Sequence, residues 1–360
     1  MSQEIAGSMT AKPGAAMFTE KCHLWPGCRN PAGGSFGFRF SSVASMSLLQ
    51  VRNLHKRYGD FVALHDVSFE VDRGEILGFL GPNGAGKTTA MMILAGLKTK
   101  DGGEVIIDGK HLEEDPVHLK RLMGVVPQEL AIYPDLTGEE NLGFFGSLYG
   151  YSGADLKRRV AEGLARVGLS EFATQYVRAY SGGMKRRLNF AVGVLHEPQL
   201  VILDEPTVGV DPQSRSHLLD CVRDLAEKGV GIIYCSHYME EIEAMCRRVA
   251  IFDHGKILAY GPLDELLDRN RRDLELQVQG WTPAMAERLG ERVTVGDVRG
   301  DSAVVTISRV DGSAGTNLTQ RLSEVIALVQ AGAGQLSQIH TKEYTLERMF
   351  LEKTGRRLRD

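Results

Sequence analysis

Gly81-Pro82-Asn83-Gly84-Ala85-Gly86-Lys87-Thr88-Thr89 follows directly on the apolar run Ile76-Leu77-Gly78-Phe79-Leu80. A short buried strand that empties into a glycine-rich turn and then a helix is the setting in which backbone N–H groups gather around phosphate. Glycines at 81, 84 and 86 let the chain curl so that those donors point inward, at the positive end of the following helix. The pattern predicts a nucleoside triphosphate site, with Lys87 reaching the β- and γ-phosphates and Thr88 holding Mg²⁺. Without the flanking strand and helix the same residues would read as an ordinary glycine-rich turn.

Three more segments follow in a fixed order. Leu200-Val201-Ile202-Leu203-Asp204-Glu205-Pro206 puts two carboxylates at the end of four consecutive apolar residues, the composition of a strand covered on both faces. Asp204 is placed to support a Mg²⁺ shell and Glu205 to polarise an attacking water; the plainer reading is a strand that ends in a solvated turn. Ser181-Gly182-Gly183-Met184-Lys185-Arg186-Arg187 starts a helical run closed by Pro198. Three cations in a first helical turn oppose the helix dipole, which is reasonable beside an anion or an acidic surface. Ser236-His237 ends a second buried strand, Val230-Gly231-Ile232-Ile233-Tyr234-Cys235.

In this order and spacing the segments resemble the ATP-binding cassette, the nucleotide-binding subunit of ABC transporters, over about residues 47–265. The resemblance implies that the phosphate loop, Gly81, Pro82, Asn83, Gly84, Ala85, Gly86, Lys87, Thr88 and Thr89, holds ATP. Tyr58 stands where the family stacks adenine. Gln128, after Val125-Val126-Pro127, matches the lid glutamine that senses Mg²⁺ and the attacking water. Tyr180 to Met184 occupies the signature Leu-Ser-Gly-Gly-Gln: Tyr replaces Leu and Met replaces Gln, while Ser181, Gly182 and Gly183 keep the donors that meet a γ-phosphate. Asp211, in Gly209-Val210-Asp211-Pro212, matches the dimer-contact loop, although Asp before Pro is also an ordinary helix start. His237 matches the switch histidine.

What the resemblance implies is phosphoryl transfer from ATP to water, with Glu205, His237 and Gln128 as the catalytic group and Thr88, Gln128 and Asp204 around Mg²⁺. Each motif occurs once, so two complete sites need a second copy of this chain or a similar cassette. The expected role is to energise a separate membrane permease, for export of drugs, antibiotics or lipid-like compounds, at the inner face of the cell membrane. The alternative is a soluble cassette protein acting on ribosomes or DNA. Two cassettes in one chain, or long coiled coils between motifs, would favour it, and neither is present.

Composition agrees. The net charge of −4 gives no electrostatic case for a nucleic-acid partner, and none is expected. No apolar run reaches the roughly 18 residues that span a bilayer. Five cysteines, at 22, 28, 221, 235 and 246, make no disulfide framework, so a reducing cytoplasm is expected. The ten histidines include no His-x-x-x-His pair.

The fold class expected is α/β: a P-loop NTPase cassette over 46–268, with a helical subdomain at about 135–197, and a small α+β domain over 269–360. Within the helical subdomain, Leu156, Val160, Leu164 and Val167 recur at helical spacing as core positions. Alternation at Leu274, Leu276 and Val278, a helical face at Leu318, Leu322, Val325, Ile326 and Val329, and a helix over 345–353 carry the second assignment. In residues 1–45, Gly, Pro and Ser supply 15 of the positions, a disordered composition, and Met46 is the expected start of the functional chain.

Overall fold

The computed structural model describes residues 47–267, 272–289, 293–307, 318–343 and 345–354; the expected leader lies outside them. β1 (Leu49–Tyr58) and β2 (Phe61–Val71) form an antiparallel pair that turns at Gly59, φ 58°. β3 (Ile76–Leu80) runs through the phosphate loop into α1 (Lys87–Leu94). β4 (Gly102–Ile107), β5 (Lys110–His111), α2 (Pro116–Arg121) and β6 (Met123–Val126) come next, then α3 (Gly138–Leu148), α4 (Gly153–Arg166) and α5 (Gly182–Val194). β7 (Leu200–Asp204), α6 (Pro212–Glu227), β8 (Gly231–Cys235), α7 (Met239–Met245), β9 (Arg248–Asp253), β10 (Lys256–Pro262) and α8 (Leu263–Leu267) follow.

The central sheet has the order β10-β9-β3-β8-β7-β6, parallel from β9 to β6 with β10 antiparallel at one edge. Every residue of β3 and β8 is buried because both faces of the sheet are covered. Period two divides each strand between two cores. Leu77, Phe79, Leu200 and Ile202 pack with the antiparallel sheet β2-β1-β4-β5 and α1. Ile76, Leu80, Val201 and Leu203 pack with the helical layer that includes α4, α5 and α6. Phe79 is central to the first cluster, 5.0 Å from Phe69 edge-on and 4.8 Å from Phe252. The expected stripe of α4 does face the second, with Leu164 and Val167 buried and Leu156 and Val160 half-buried.

Helix starts are fixed by side chains. Thr137 and Glu140 form a reciprocal capping box at α3, each accepting from the other's backbone N–H at 3.2 and 2.8 Å. Asp211 caps α6 by accepting from Ser214 N at 2.9 Å, with Pro212 in the first helical position.

The last segment reads β11 (Arg272–Gln279), α9 (Pro283–Leu289), β12 (Thr294–Arg299), β13 (Ser302–Ile307), α10 (Leu318–Ala331), β14 (Gln335–Glu343) and α11 (Leu346–Thr354). Its sheet, β12-β13-β11-β14, is antiparallel throughout, and β11 to β14 with α9 and α10 make a β-α-β-β-α-β unit. Leu276, Val278, Val305, Val325 and Val329 form its own core. α11 does not belong to that core. Leu346, Met349 and Phe350 are buried in the cluster of the central sheet, Leu346 N donates to Glu243 Oε1 of α7 at 2.9 Å, and Arg348 pairs with the buried Asp273 of β11. The final helix thus fastens the small sheet to the large one.

Candidate nucleotide-binding and hydrolysis site

Strand order gathers the site. β3, β8, β7 and β6 are consecutive and parallel, so their carboxyl ends deliver, side by side, the phosphate loop, Ser236-His237, Asp204-Glu205 and the segment to Gln128. This is the edge at which open α/β sheets bind ligands. Glu205 N donates to Cys235 O at 2.9 Å, which keeps the β7 and β8 ends in step.

The loop is built for close backbone approach. Gly81 has φ 149° and Gly86 φ 105°, and a Cβ at Gly81 would lie 2.3 Å from Phe252 O, one at Gly86 2.8 Å from Ala63 O. Neither position admits a side chain. Lys87 is buried, and its Nζ donates to Gly81 O at 2.6 Å and Pro82 O at 3.0 Å, folded over its own loop. A buried ammonium whose hydrogen-bond partners among the described residues are carbonyls, below a glycine turn and at a helix start, fits a polyphosphate. Thr88 is exposed and Thr89 half-buried, in the first turn of α1.

Around Glu205 three expected residues meet. Gln128 Nε2 donates to Glu205 Oε2 at 2.9 Å, and His237 Nδ1 lies 3.2 Å from Glu205 Oε1. Each carboxylate oxygen therefore has one partner, drawn from the ends of β6 and β8. Glu205 is 9 % exposed with φ 47°, a left-handed backbone that non-glycine residues adopt at a cost, as is frequent at functional sites. Beside it, burial pushes the Asp204 carboxyl above the ordinary carboxylate range; a hydrogen bond from the Cys235 thiol opposes this, Glu205 adds to it and Lys87 opposes it. A desolvated carboxylate next to a second one suits a site that receives a cation.

The signature lies apart from this cluster. Ser181 caps α5 by accepting from Met184 N at 3.2 Å. Among the described residues, no hydrogen bond or ion pair joins 181–183 to the loop 81–89 of the same chain. Gly182 is open, a Cβ there meeting only Gly209 O at 3.7 Å, whereas one at Gly183 would lie 2.4 Å from Ser214 Oγ and 2.6 Å from Asp211 Oδ2. Both departures from the family pattern have a packing account. Tyr180 is buried, donates from its hydroxyl to Phe172 O at 2.7 Å, and occupies space left by Gly138, where a Cβ would sit 2.3 Å from that hydroxyl. Met184 packs against the central core.

The reading of three cations in the first turn of α5 needs correction. The helix begins at Gly182, so Arg186 and Arg187 lie in its second turn, away from the exposed N–H groups. Both serve carbonyls: Arg187 Nη1 donates to Val167 O at 2.7 Å and Arg186 Nη1 to Gln128 O. Asp211 is a helix cap, with its carboxyl held below the usual range by the Ser214 backbone N–H. Tyr58 ends β1, exposed, with Lys56 Nζ 5.5 Å from its ring centre.

Sequence reasoning missed Asn189. It is 2 % exposed on α5 and holds the Gln128 segment from both sides, accepting from Ala131 N at 2.9 Å and donating to Pro127 O at 3.3 Å. With Arg186 it ties the signature helix to Gln128. An asparagine inside the run Leu188-Asn189-Phe190-Ala191-Val192 is the signal that marks it.

Comparison with known proteins agrees with this geometry. Residues 64–208 match the ABC transporter family. The chain is 40 % identical over 315 residues to the linearmycin resistance ATP-binding protein LnrL of Bacillus subtilis, covering 87 % of this chain and 100 % of that one. It is 35 % identical over 317 residues to the doxorubicin resistance ATP-binding protein DrrA of Mycobacterium tuberculosis, covering 84 % and 92 %. A solved ATP-binding subunit of an ABC transporter superposes with TM-score 0.57 at 33 % identity, over 62 % of this chain and 93 % of that one. A fold with ATP-site architecture at the parallel strand ends, and relatives matched over nearly their whole length, place this chain in the ABC transporter family, as one of its ATP-hydrolysing, ATP-binding proteins.

Proposed function

We propose that the chain is the ATPase subunit that energises a separate membrane permease, exporting a drug-, antibiotic- or lipid-like compound, and that it works as a pair of cassettes. The observation that carries the hydrolytic part is the Glu205 carboxylate, nearly buried and held by Gln128 on one oxygen and His237 on the other. The resistance proteins named above support the export part.

In this reading the loop 81–89 binds the phosphates of ATP, with Lys87 leaving its loop carbonyls for the β- and γ-oxygens, and Tyr58 stacks the base. Mg²⁺, held by Thr88 and Asp204 with Gln128 nearby, would neutralise charge on the transferring phosphoryl group. Glu205 accepts a proton from water as the new P–O bond forms and the bond to the ADP oxygen breaks. His237, with Nδ1–H toward Glu205, leaves Nε2 to face the γ-phosphate. These are positioning and electrostatic tasks, which carry most of phosphoryl transfer. Because, among the described residues, 181–183 make no hydrogen bond or ion pair with the loop of their own chain, Ser181, Gly182, Gly183 and Asp211 would serve the site of the second cassette.

The test is stimulation. ATPase activity of the purified chain should rise when it is added to membranes that carry a permease encoded beside it, and not when it is added to ribosomes. Stimulation by ribosomes alone would overturn the transport role.

A further inference from the structure

Glu241, in the first turn of α7, is 2 % exposed and takes part in no step above. Its Oε1 accepts from Thr207 Oγ1 at 2.7 Å and pairs with Arg215 Nε at 2.6 Å. Its Oε2 accepts from Tyr234 OH and from Ser236 Oγ, each at 2.8 Å. Four donors fill the acceptor directions of an ionised carboxylate.

Those donors come from the segments that build the hydrolytic cluster. Thr207 stands two residues after Glu205, and Ser236 immediately before His237. Arg215 lies on α6, whose cap is Asp211. A second contact path runs in parallel. The Arg215 guanidinium sits 4.7 Å over the Tyr238 ring, and that ring lies 4.2 Å from the imidazole of His237, while Tyr238 N donates to Ser236 Oγ at 3.0 Å. α7 itself is seated without slack: a Cβ on Gly78 of β3 would lie 3.0 Å from Ile242 Cγ2 and 3.1 Å from Cys246 Sγ.

An ion pair whose carboxylate is buried is a poor source of stability, because desolvation of that charge offsets much of the attraction. The apolar neighbours Ile242 and Met245 already anchor α7. The charge is better explained by the geometry it imposes. We propose that Glu241 and Arg215 are a positioning pair that sets His237 and Glu205 for attack of water and links that setting to the Asp211 end of α6; this rests on the roles assigned above to Glu205 and His237.

The experiment uses the full chain. Glu241→Gln keeps size and shape, and the Tyr234 and Ser236 hydroxyls can turn to accept from the new amide, but the ion pair with Arg215 is lost. Its kcat should fall on the order of tenfold to a hundredfold, the scale of a small misplacement, while KM and the affinity for a fluorescent ATP analogue change by less than about threefold. In a His237→Ala background the same substitution should cost clearly less than it does alone, because the path through the histidine is already gone and only the one through Thr207 to Glu205 remains. A normal kcat for Glu241→Gln, or a full additional loss in the His237→Ala background, overturns the proposal. Should Glu241→Gln not fold, Arg215→Lys replaces it: the charge stays, the flat face on Tyr238 goes, and the same split is expected. Glu205→Gln is measured alongside. Turnover retained there brings down the reading of the site and this inference with it; turnover lost there, with normal Glu241 and Arg215 variants, brings down this inference alone.

Discussion

Gln128 donates from Nε2 to Oε2 of Glu205 at 2.9 Å, across 77 positions of the chain, and this bond joins the end of β6 to the end of β7. The carboxylate is thereby aimed before any substrate arrives. Lys87, after the loop from β3, two strands over from β7, is committed to its own loop through Gly81 O and Pro82 O. The two residues should therefore fail differently when changed.

Lys87→Ala is expected to weaken ATP binding, since the buried cation proposed to meet the phosphates is gone. Glu205→Gln should keep ATP and lose turnover by roughly a hundredfold or more, the scale of a removed general base. Gln128→Ala should keep binding and lose less, because His237 still holds Oε1. Equilibrium binding of a fluorescent nucleotide and steady-state phosphate release separate these outcomes. Equal loss of binding in all three variants would refute the division of roles.

Asp204→Asn should raise the thermal midpoint of the nucleotide-free chain at neutral pH. Burial raises the Asp204 carboxyl pKa in the folded state. A carboxyl raised in this way contributes its full stability below the unfolded value of about 3.9, and that contribution is lost as pH rises through the folded value. The advantage of Asn should therefore shrink as the pH is lowered toward about 4. Melting curves across that range check it, and a midpoint for Asn at or below that of the parent at neutral pH would contradict the burial argument. The same variant should lose Mg²⁺-dependent turnover.

Much of the site was legible because its motifs end buried strands. Gly81–Thr89 and Asp204-Glu205 stand out as polar or glycine residues directly after apolar runs, and parallel neighbours with that pattern must bring their ends together. Asn189, Arg215 and Glu241 were not read from the sequence. A polar residue inside an apolar run marks Asn189 as partnered, but its partner Ala131 is 58 positions away; Glu241 meets Tyr234 and Ser236 nearby, yet Thr207 is 34 positions away, so no local spacing announces either network. The cations of α5 were misplaced by one turn, since only the Ser181 cap fixes where that helix starts. α11 was assigned to the small C-terminal unit by its position in the chain. Its apolar face, Leu346, Met349 and Phe350, gives no hint of which core it will enter.

That last placement has a measurable consequence. Phe350 is fully buried against the core of the central sheet. Phe350→Ala should cost about 3–5 kcal/mol of global stability, the usual range for a buried aromatic. Because α11 packs beside α7, the loss should be seen in the unfolding of the nucleotide-binding part, as a lower midpoint both with and without ATP. A variant whose cassette melts as the parent does would return α11 to the small sheet.

Gly182 and Gly183 are adjacent in the signature yet differ in what surrounds them, and this makes the paired-cassette reading testable. A Cβ at Gly182 has ordinary contact with Gly209 O at 3.7 Å, so Gly182→Asp is expected to leave the monomer's packing intact. At Gly183 a Cβ would press on Ser214 Oγ and Asp211 Oδ2, the cap of α6, and Gly183→Ala should lower the melting midpoint, with about 1–3 kcal/mol of overpacking. In a Glu205→Gln background with ATP and Mg²⁺, the chain should dimerise, because both shared sites fill and neither turns over. Adding Gly182→Asp should abolish that dimer while each monomer still binds ATP and melts as before, since in the paired reading the new carboxylate would face the γ-phosphate of the other copy. Light scattering with and without ATP reads the result directly. Persistence of the dimer in the doubly substituted chain would mean that residues 181–183 do not complete a partner's site, and the single-copy motifs would then need another explanation.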